Sequence, residues 1–401
     1  MKRRWVGVGA GLAIGLWLLW MRWPEAMPAV TDQAVPAASQ AVAPRVPSAS
    51  TAGVRAARGE VADPVDPELP ALGPACGYGP WLGDDALPDA VARARVDRAL
   101  GRQVVSTLQQ SSSELDQAVG WWLASTPFNV IEPALQDCTG RGCQTALQQA
   151  QERVERAAPR RDQASEKLLS LAQASQDPAV VALALSQCAS APQPPACRAE
   201  LSARWVALEP DNAAGWLAQA QVAQEAGDPA GVVVAFHQAT QAAHNRPPSA
   251  WVARHVVALL PAEWQGLPRL SLQLQLLGSV ARLQGPNAAM FEHCRDAGAA
   301  GQANRQQACE RLAERLLRDA PDLLSWAVAT GLGRQARWPA ERLAALKAER
   351  EQLEALFNPL RLEHPPGSPG ECRAHQRGSA WLERSVQMGE LAHLRSLRPS
   401  D

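Results

Sequence analysis

From about Ala86 to His393 the chain carries no run of alternating β-branched residues. Apolar positions recur instead at intervals of three and four, the spacing that turns one stripe of an α-helix toward a core. Ala, Leu, Arg, Gln and Glu fill these stretches, while Pro and Gly collect between them. Three junctions share one chemistry: Asp177-Pro178, Asp228-Pro229 and Pro321-Asp322. An Asp accepts the orphan N–H groups of a helix start, and Pro is tolerated at the first helical position. Ser111 to Glu114 reads as a helix break followed by a cap. The spacing predicts helices from 88–110 through 373–395, with a break at Pro159 that separates 143–158 from 162–175. Many run 12–16 residues with short turns between them. The expected fold is all-α, an α-solenoid of antiparallel helical hairpins rather than a four-helix bundle.

The amino terminus sets an expected compartment. Residues 1–4, Met1-Lys2-Arg3-Arg4, precede an uncharged segment from Trp5 to Met21. As a helix this segment would span about 25 Å, against a hydrocarbon core of about 30 Å. Cations before it favour a cytoplasmic amino terminus, with the remainder translocated. Arg22, Trp23 and Pro24 follow where a cleaved signal needs a small-x-small site. The expectation is a transmembrane signal anchor over 5–21 in a bacterial inner membrane, single-pass, with the carboxy-terminal domain in the periplasm. A cleaved signal and a soluble periplasmic protein is the alternative. Gly7, Gly11 and Gly15 recur at spacing four, which lets two such helices approach closely. A homodimer through this face is a second expectation. Residues 22–75 are rich in Pro and Ala and lack apolar periodicity, so they read as a disordered linker. Residues 76–401 then form the helical domain.

All eight cysteines lie beyond the anchor: Cys76, Cys138, Cys143, Cys188, Cys197, Cys294, Cys309 and Cys372. An even count on the translocated side reads as disulfides. Sequence proximity suggests Cys138–Cys143, Cys188–Cys197 and Cys294–Cys309, which leaves Cys76 with Cys372. Metal binding is the rival. Cys372 and His375 form C-x-x-H, with His364 upstream, but no second ligand pair has zinc-like spacing.

The most specific stretch runs from Leu208-Glu209-Pro210-Asp211-Asn212 through Trp216 to Gly227-Asp228 and Phe236. It resembles a tetratricopeptide repeat over about 208–243. Trp216, Ala220 and Ala223 share one helical face, and Phe236, Ala239 and Ala243 share one on the next. The turn at Gly227 separates them. Small residues on one helix admit bulky ones from the other. Ala220 and Val232 depart from the usual Gly and Ala of the repeat. The neighbouring hairpins carry Trp205, Trp251 and Trp326 without the full signature and are expected to stack on this unit. The chain also resembles envelope proteins of Arg-rich bacterial proteomes, which implies no particular activity.

Chemistry is sparsely marked. Lys and Arg number 39 against 40 Asp and Glu, which gives no basic surplus for nucleic acid. There is no H-E-x-x-H, P-loop, C-x-x-C or G-x-S-x-G. No catalytic residue, cofactor or metal is assigned, and the chain is read as a non-enzyme. A His- or Cys-dependent envelope enzyme stands last among the alternatives, behind a self-associating structural or regulatory component. The leading expectation is a protein-interaction or scaffold module. Its partner would be another envelope protein or peptide segment, held in a groove near Gln219, Gln221 and Glu225.

Overall fold

Helix starts are set by short side chains that accept backbone N–H groups. The computed structural model describes residues 75–83, 90–126, 141–283, 288–295, 302–356 and 369–398. In it Ser113, Asp177, Asn212, Asp228 and Asp322 each occupy an N-cap and accept from the first turn. Pro178 and Pro229 follow two of these caps, where no N–H is needed. The fold is all-α, with no strand among the described residues.

The helices are α1 Gly79–Leu82, α2 Ala90–Gln109, α3 Glu114–Ser125, α4 Arg141–Ala174, α5 Pro178–Leu185, α6 Pro194–Leu208, α7 Ala213–Glu225 and α8 Pro229–Gln241. There follow α9 Pro248–Leu259, α10 Gly266–Val280, α11 Ala288–Cys294, α12 Ala303–Arg318, α13 Leu323–Gln335, α14 Ala340–Leu356, α15 Pro369–Met388 and α16 Glu390–Ser396. Short 3-10 turns occupy Cys188–Ser190 and Ala281–Leu283.

Three boundaries differ from the sequence expectation, each for a local reason. The chain does not break at Pro159, which lies inside α4. Pro159 is exposed, so the backbone group it deprives of a partner can reach water. The predicted helix 373–395 is cut at Gly389, whose φ of 88° suits glycine and ends the helical path. Finally, α8 stops at Gln241, which leaves Ala243 exposed and off the face it was expected to share with Phe236 and Ala239. There the chain turns so that His244 N donates to Asp211 O at 3.1 Å and Ala213 N to His244 O at 2.8 Å.

From α2 to α8 each helix packs against the next in sequence. Then the order changes. Helix α9 reaches α5 and α15, and α10 packs against α2 and α15. Helices α11 and α12 return to cover α7 and α8. Apolar burial follows the same division. One cluster joins Tyr78, α2–α6, α9 and α10; a second joins α7, α8 and α11–α13; a third joins α10 with α13–α16.

The first turn is tied to the last long helix. Cys76 and Cys372 stand at disulfide distance, with Cα atoms 4.8 Å apart across 296 residues of sequence. Leu267 N donates to Cys76 O at 3.0 Å. Tyr78 donates to Asp97 at 2.8 Å, and Ser271 donates to the other oxygen of Asp97 at 2.6 Å. Burial pushes the Asp97 carboxyl up, against the pull of the two hydroxyls. Gly77 has a φ of 98° and a backbone so close to Gln265 that a Cβ would meet its carbonyl oxygen at 2.4 Å. Ala75, assigned to the linker from sequence, is fully buried here.

No described helix is long and apolar enough to cross a membrane. The anchor over 5–21 with Gly7, Gly11 and Gly15, and the linker up to residue 74, lie outside the described residues.

Candidate functional site: two concavities beside one hairpin

The α7–α8 hairpin is built from small residues facing bulky ones. Ala220, Phe236 and Ala239 are buried together in the second cluster. Trp216 is half-buried, and its Nε1 donates to Pro210 O at 2.8 Å. Ala223 approaches α8 so closely that a Cβ at Gly231 would lie 3.2 Å from its own. Gly227 makes the turn with a φ of 69°.

One concavity, a cleft of about 900 Å³, opens between the start of α8 and helices α11 and α12. Val232, Val233 and Phe236 form one wall, His293 and Ala308 the other, with Arg305 at its edge. The Phe236 and His293 rings stack at 4.3 Å. Burial, then the Arg305 charge, lowers the His293 pKa, so this imidazole is neutral near pH 7. Gln224 also lines the cleft, and its Oε1 is buried without a hydrogen-bond partner. Val233 and Val234 are 56% and 58% exposed. Cys294 and Cys309, with Cα atoms 5.8 Å apart, join α11 to α12.

The other concavity is a narrower cavity of about 340 Å³. Helices α5, α6, α7, α12 and α13 border it, with residues 247–249 and 282–283. Its lining is chiefly apolar, including Leu185, Leu217, Ala218, Leu283, Leu316 and Val328. Arg198 Nε stands 2.9 Å from Glu225 Oε2. Gln221 donates to Glu225 Oε1 at 3.1 Å and accepts from Ala289 N at 3.1 Å. Two of the three expected groove residues, Gln221 and Glu225, therefore line this cavity with their polar atoms engaged inside the chain. Gln219 does not line it. Arg282 sits on the exposed rim without a carboxylate partner among the described residues.

Neither concavity was legible from sequence, because each wall comes from segments far apart in the chain. Their only sequence trace is the run Val232-Val233-Val234, three β-branched residues in succession, which one buried helical stripe cannot absorb.

The structure also brings Cys188 to Cys197, with Cα atoms 5.5 Å apart. The Cys138–Cys143 pairing lies outside the described residues, as does His364. Cys372 of the C-x-x-H motif faces Cys76, and His375 is buried. No group of three His, Cys, Asp or Glu able to hold a metal occurs among the described residues. His237 lines the cleft, whereas His244 is held 3.3 Å from Glu209 at the neighbouring turn. His255 Nε2 stands 2.7 Å from Asp116 Oδ1, and Ser111 donates to Asp116 Oδ2 at 2.6 Å. The hydroxyl is bound to the carboxylate rather than the imidazole, so this trio lacks the nucleophile-to-base bond of acyl transfer.

No protein-family model matches the chain, and no curated protein or solved structure is detectably similar to it.

Proposed function

We propose that the chain is a membrane-anchored, periplasm-facing interaction module of tetratricopeptide-like hairpins that captures an extended apolar segment of another envelope protein in the α8–α11–α12 cleft. The observation that carries this reading is Val233, which lines the cleft, with Val234 next to it on α8; both are more than half exposed. A solvated helix face rarely spends two adjacent β-branched residues unless something covers them. Gln224 Oε1 supports it as well, since a buried acceptor without a donor is costly and a partner's backbone N–H would satisfy it. The α7–α8 hairpin supplies the repeat-like part, and the sulfur pairs and the uncharged segment Trp5–Met21 supply the expected compartment. The solenoid in this reading is a closed one, since α11 and α12 take the flank of α7 and α8.

A photo-crosslinking residue at Val233 in cells making the full chain tests it. The expected result is one discrete adduct that disappears when Val234 becomes Glu, with none from the same probe at exposed Leu274. Equal labelling from both positions, or an adduct indifferent to Val234→Glu, would remove the cleft from consideration. Alkylation of thiols before lysis tests the compartment separately: labelling of Cys188 or Cys309 without reductant argues for a reducing environment.

A further inference from the structure

We propose that the cavity of about 340 Å³ beside α7 is a second binding site, and that it takes a single-chain anionic amphipath of the medium-chain fatty-acid type. The inference does not rest on the partner cleft, which lies elsewhere on the α7–α8 hairpin.

Size comes first. At about 30 Å³ per water-sized group, this volume admits roughly ten methylenes. Water is a poor filler, because Leu185, Leu217, Ala218, Leu283, Leu316 and Val328 offer it no hydrogen bonds.

Polarity then narrows the class. An extended peptide needs donors and acceptors along its length. Here Gln221 is bonded at both ends of its amide, Glu225 is held by Arg198 and Gln221, and Ser186 donates to Leu183 O at 2.7 Å. An acyl chain needs none of these groups. It does need somewhere for its head.

The head position is marked by charge. Arg198 is neutralised by Glu225 at 2.9 Å, which leaves Arg282 on the rim as the cation without a carboxylate partner among the described residues. Partial desolvation, and then the Arg161 charge, both work against the Arg282 cation. An anion at that point would offset both effects by its attraction to the guanidinium, whereas a cationic amphipath would worsen the second. A guanidinium suits a carboxylate or a phosphate equally. The shared chemistry is therefore one acyl chain with an anionic head, either a free fatty acid or a lysophospholipid.

The test uses full-length protein in nanodiscs, irradiated with a diazirine-bearing dodecanoate, with the labelled peptides sequenced. Label is expected on 185–189, 214–222 or the Val328 turn, and to saturate. Unlabelled dodecanoate should compete, and dodecyltrimethylammonium should compete at least about tenfold less well, since one charge-assisted hydrogen bond is worth about that much. Stronger competition by lysophosphatidylglycerol than by dodecanoate would assign the source to lipid, and the reverse order to free acid; both support the site. Ala218→Phe should abolish labelling by filling the cavity. Arg282→Glu, on the exposed rim and without effect on the thermal midpoint, should weaken it about tenfold. Should Ala218→Phe fail to fold, Arg282→Glu decides alone. Non-saturating label, label centred on the Val233 cleft, or labelling indifferent to Arg282→Glu would overturn the assignment.

Discussion

The cavity and the cleft border one hairpin, yet they treat their polar groups in opposite ways. Around the cavity, Gln221, Glu225 and Ser186 find hydrogen-bond partners within the chain, while Arg198 has an ion pair to Glu225 but no hydrogen bond at Nε. Around the cleft, Gln224 Oε1 is buried and unanswered, and two valines face solvent. The lining segment 245–249 is also tied to the start of α7 through one side chain. Asn212 is fully buried; it accepts from Ala214 N and Arg246 N and donates to Glu209 and Arg246 O. This fixes the start of α7 to the segment leading into α9, and Asn245 N extends the chain of bonds to Asp319 at 2.8 Å. The far wall of the cleft is held by its packing on α7 and α8, by the Ala289 N bond to Gln221 and by one sulfur pair. Under the two proposals, the better-satisfied concavity takes the apolar ligand and the less satisfied one takes another chain.

Four measurements would break or sharpen that contrast. The largest effect is expected from Cys294→Ser with Cys309→Ser. Opening this 15-residue loop should cost about 3 kcal/mol in chemical unfolding and loosen α11 in hydrogen exchange, while the cavity side stays protected. Equal loss of protection on both sides would mean that the two concavities are one cooperative unit. Next is Asn212→Ala, which strands two N–H groups at a buried turn. About 2–3 kcal/mol should be lost, with faster exchange at 244–247 and little change at α11.

The third expectation lies at the capped start of α13, next to the cavity-lining Ser325 and apart from the cleft. Leu323 N donates to Glu390 at 3.3 Å, beside the capping carboxylate of Asp322. Burial, then the Asp322 charge, pushes the Glu390 pKa up to about 7 from its ordinary 4.5. A carboxyl raised in the folded state binds more protons there than when unfolded. Its contribution is complete below about pH 4.5 and is lost as pH rises through about 7. Stability should therefore fall by about 1–2 kcal/mol across that window, after allowance for solvent. Glu390→Gln should flatten the slope, as read from urea midpoints between pH 5 and 8, without moving exchange at the cleft. The smallest effect belongs to Val233→Ser with Val234→Ser. Stability should stay within about 0.5 kcal/mol, because both side chains already face solvent. Only the crosslink should vanish.

What was legible in the sequence was local. Asp177, Asp228 and Asp322 announce helix starts because a cap acts within one turn of its own residue. Ala220, Phe236 and Ala239 reveal a buried seam because helical periodicity places them on one side. What was not legible depends on returns of the chain. Gln221 looks like a free groove residue until α11 brings Ala289 N against it, 68 residues on. Glu349 stands 3.3 Å from Arg395 of α16, a contact across 46 residues that helical spacing alone does not foretell. Pro159 misleads for another reason: its penalty depends on which way the freed carbonyl faces, and that is a tertiary fact.

The sulfur link between the first turn and α15 gives the polypeptide a topology as well as a contact. With that bond formed, residues 76 to 372 make a covalent ring, so α2 cannot peel away as a loose end and α15 is held at its first turn. A force applied through the segment before residue 75 would enter at that clasp and be borne by α15 and α10, bypassing the hairpin that borders both concavities. Cutting the ring at the Gly227 turn should leave one connected body, whereas reducing the clasp would turn the same load into an unzipping force on α2.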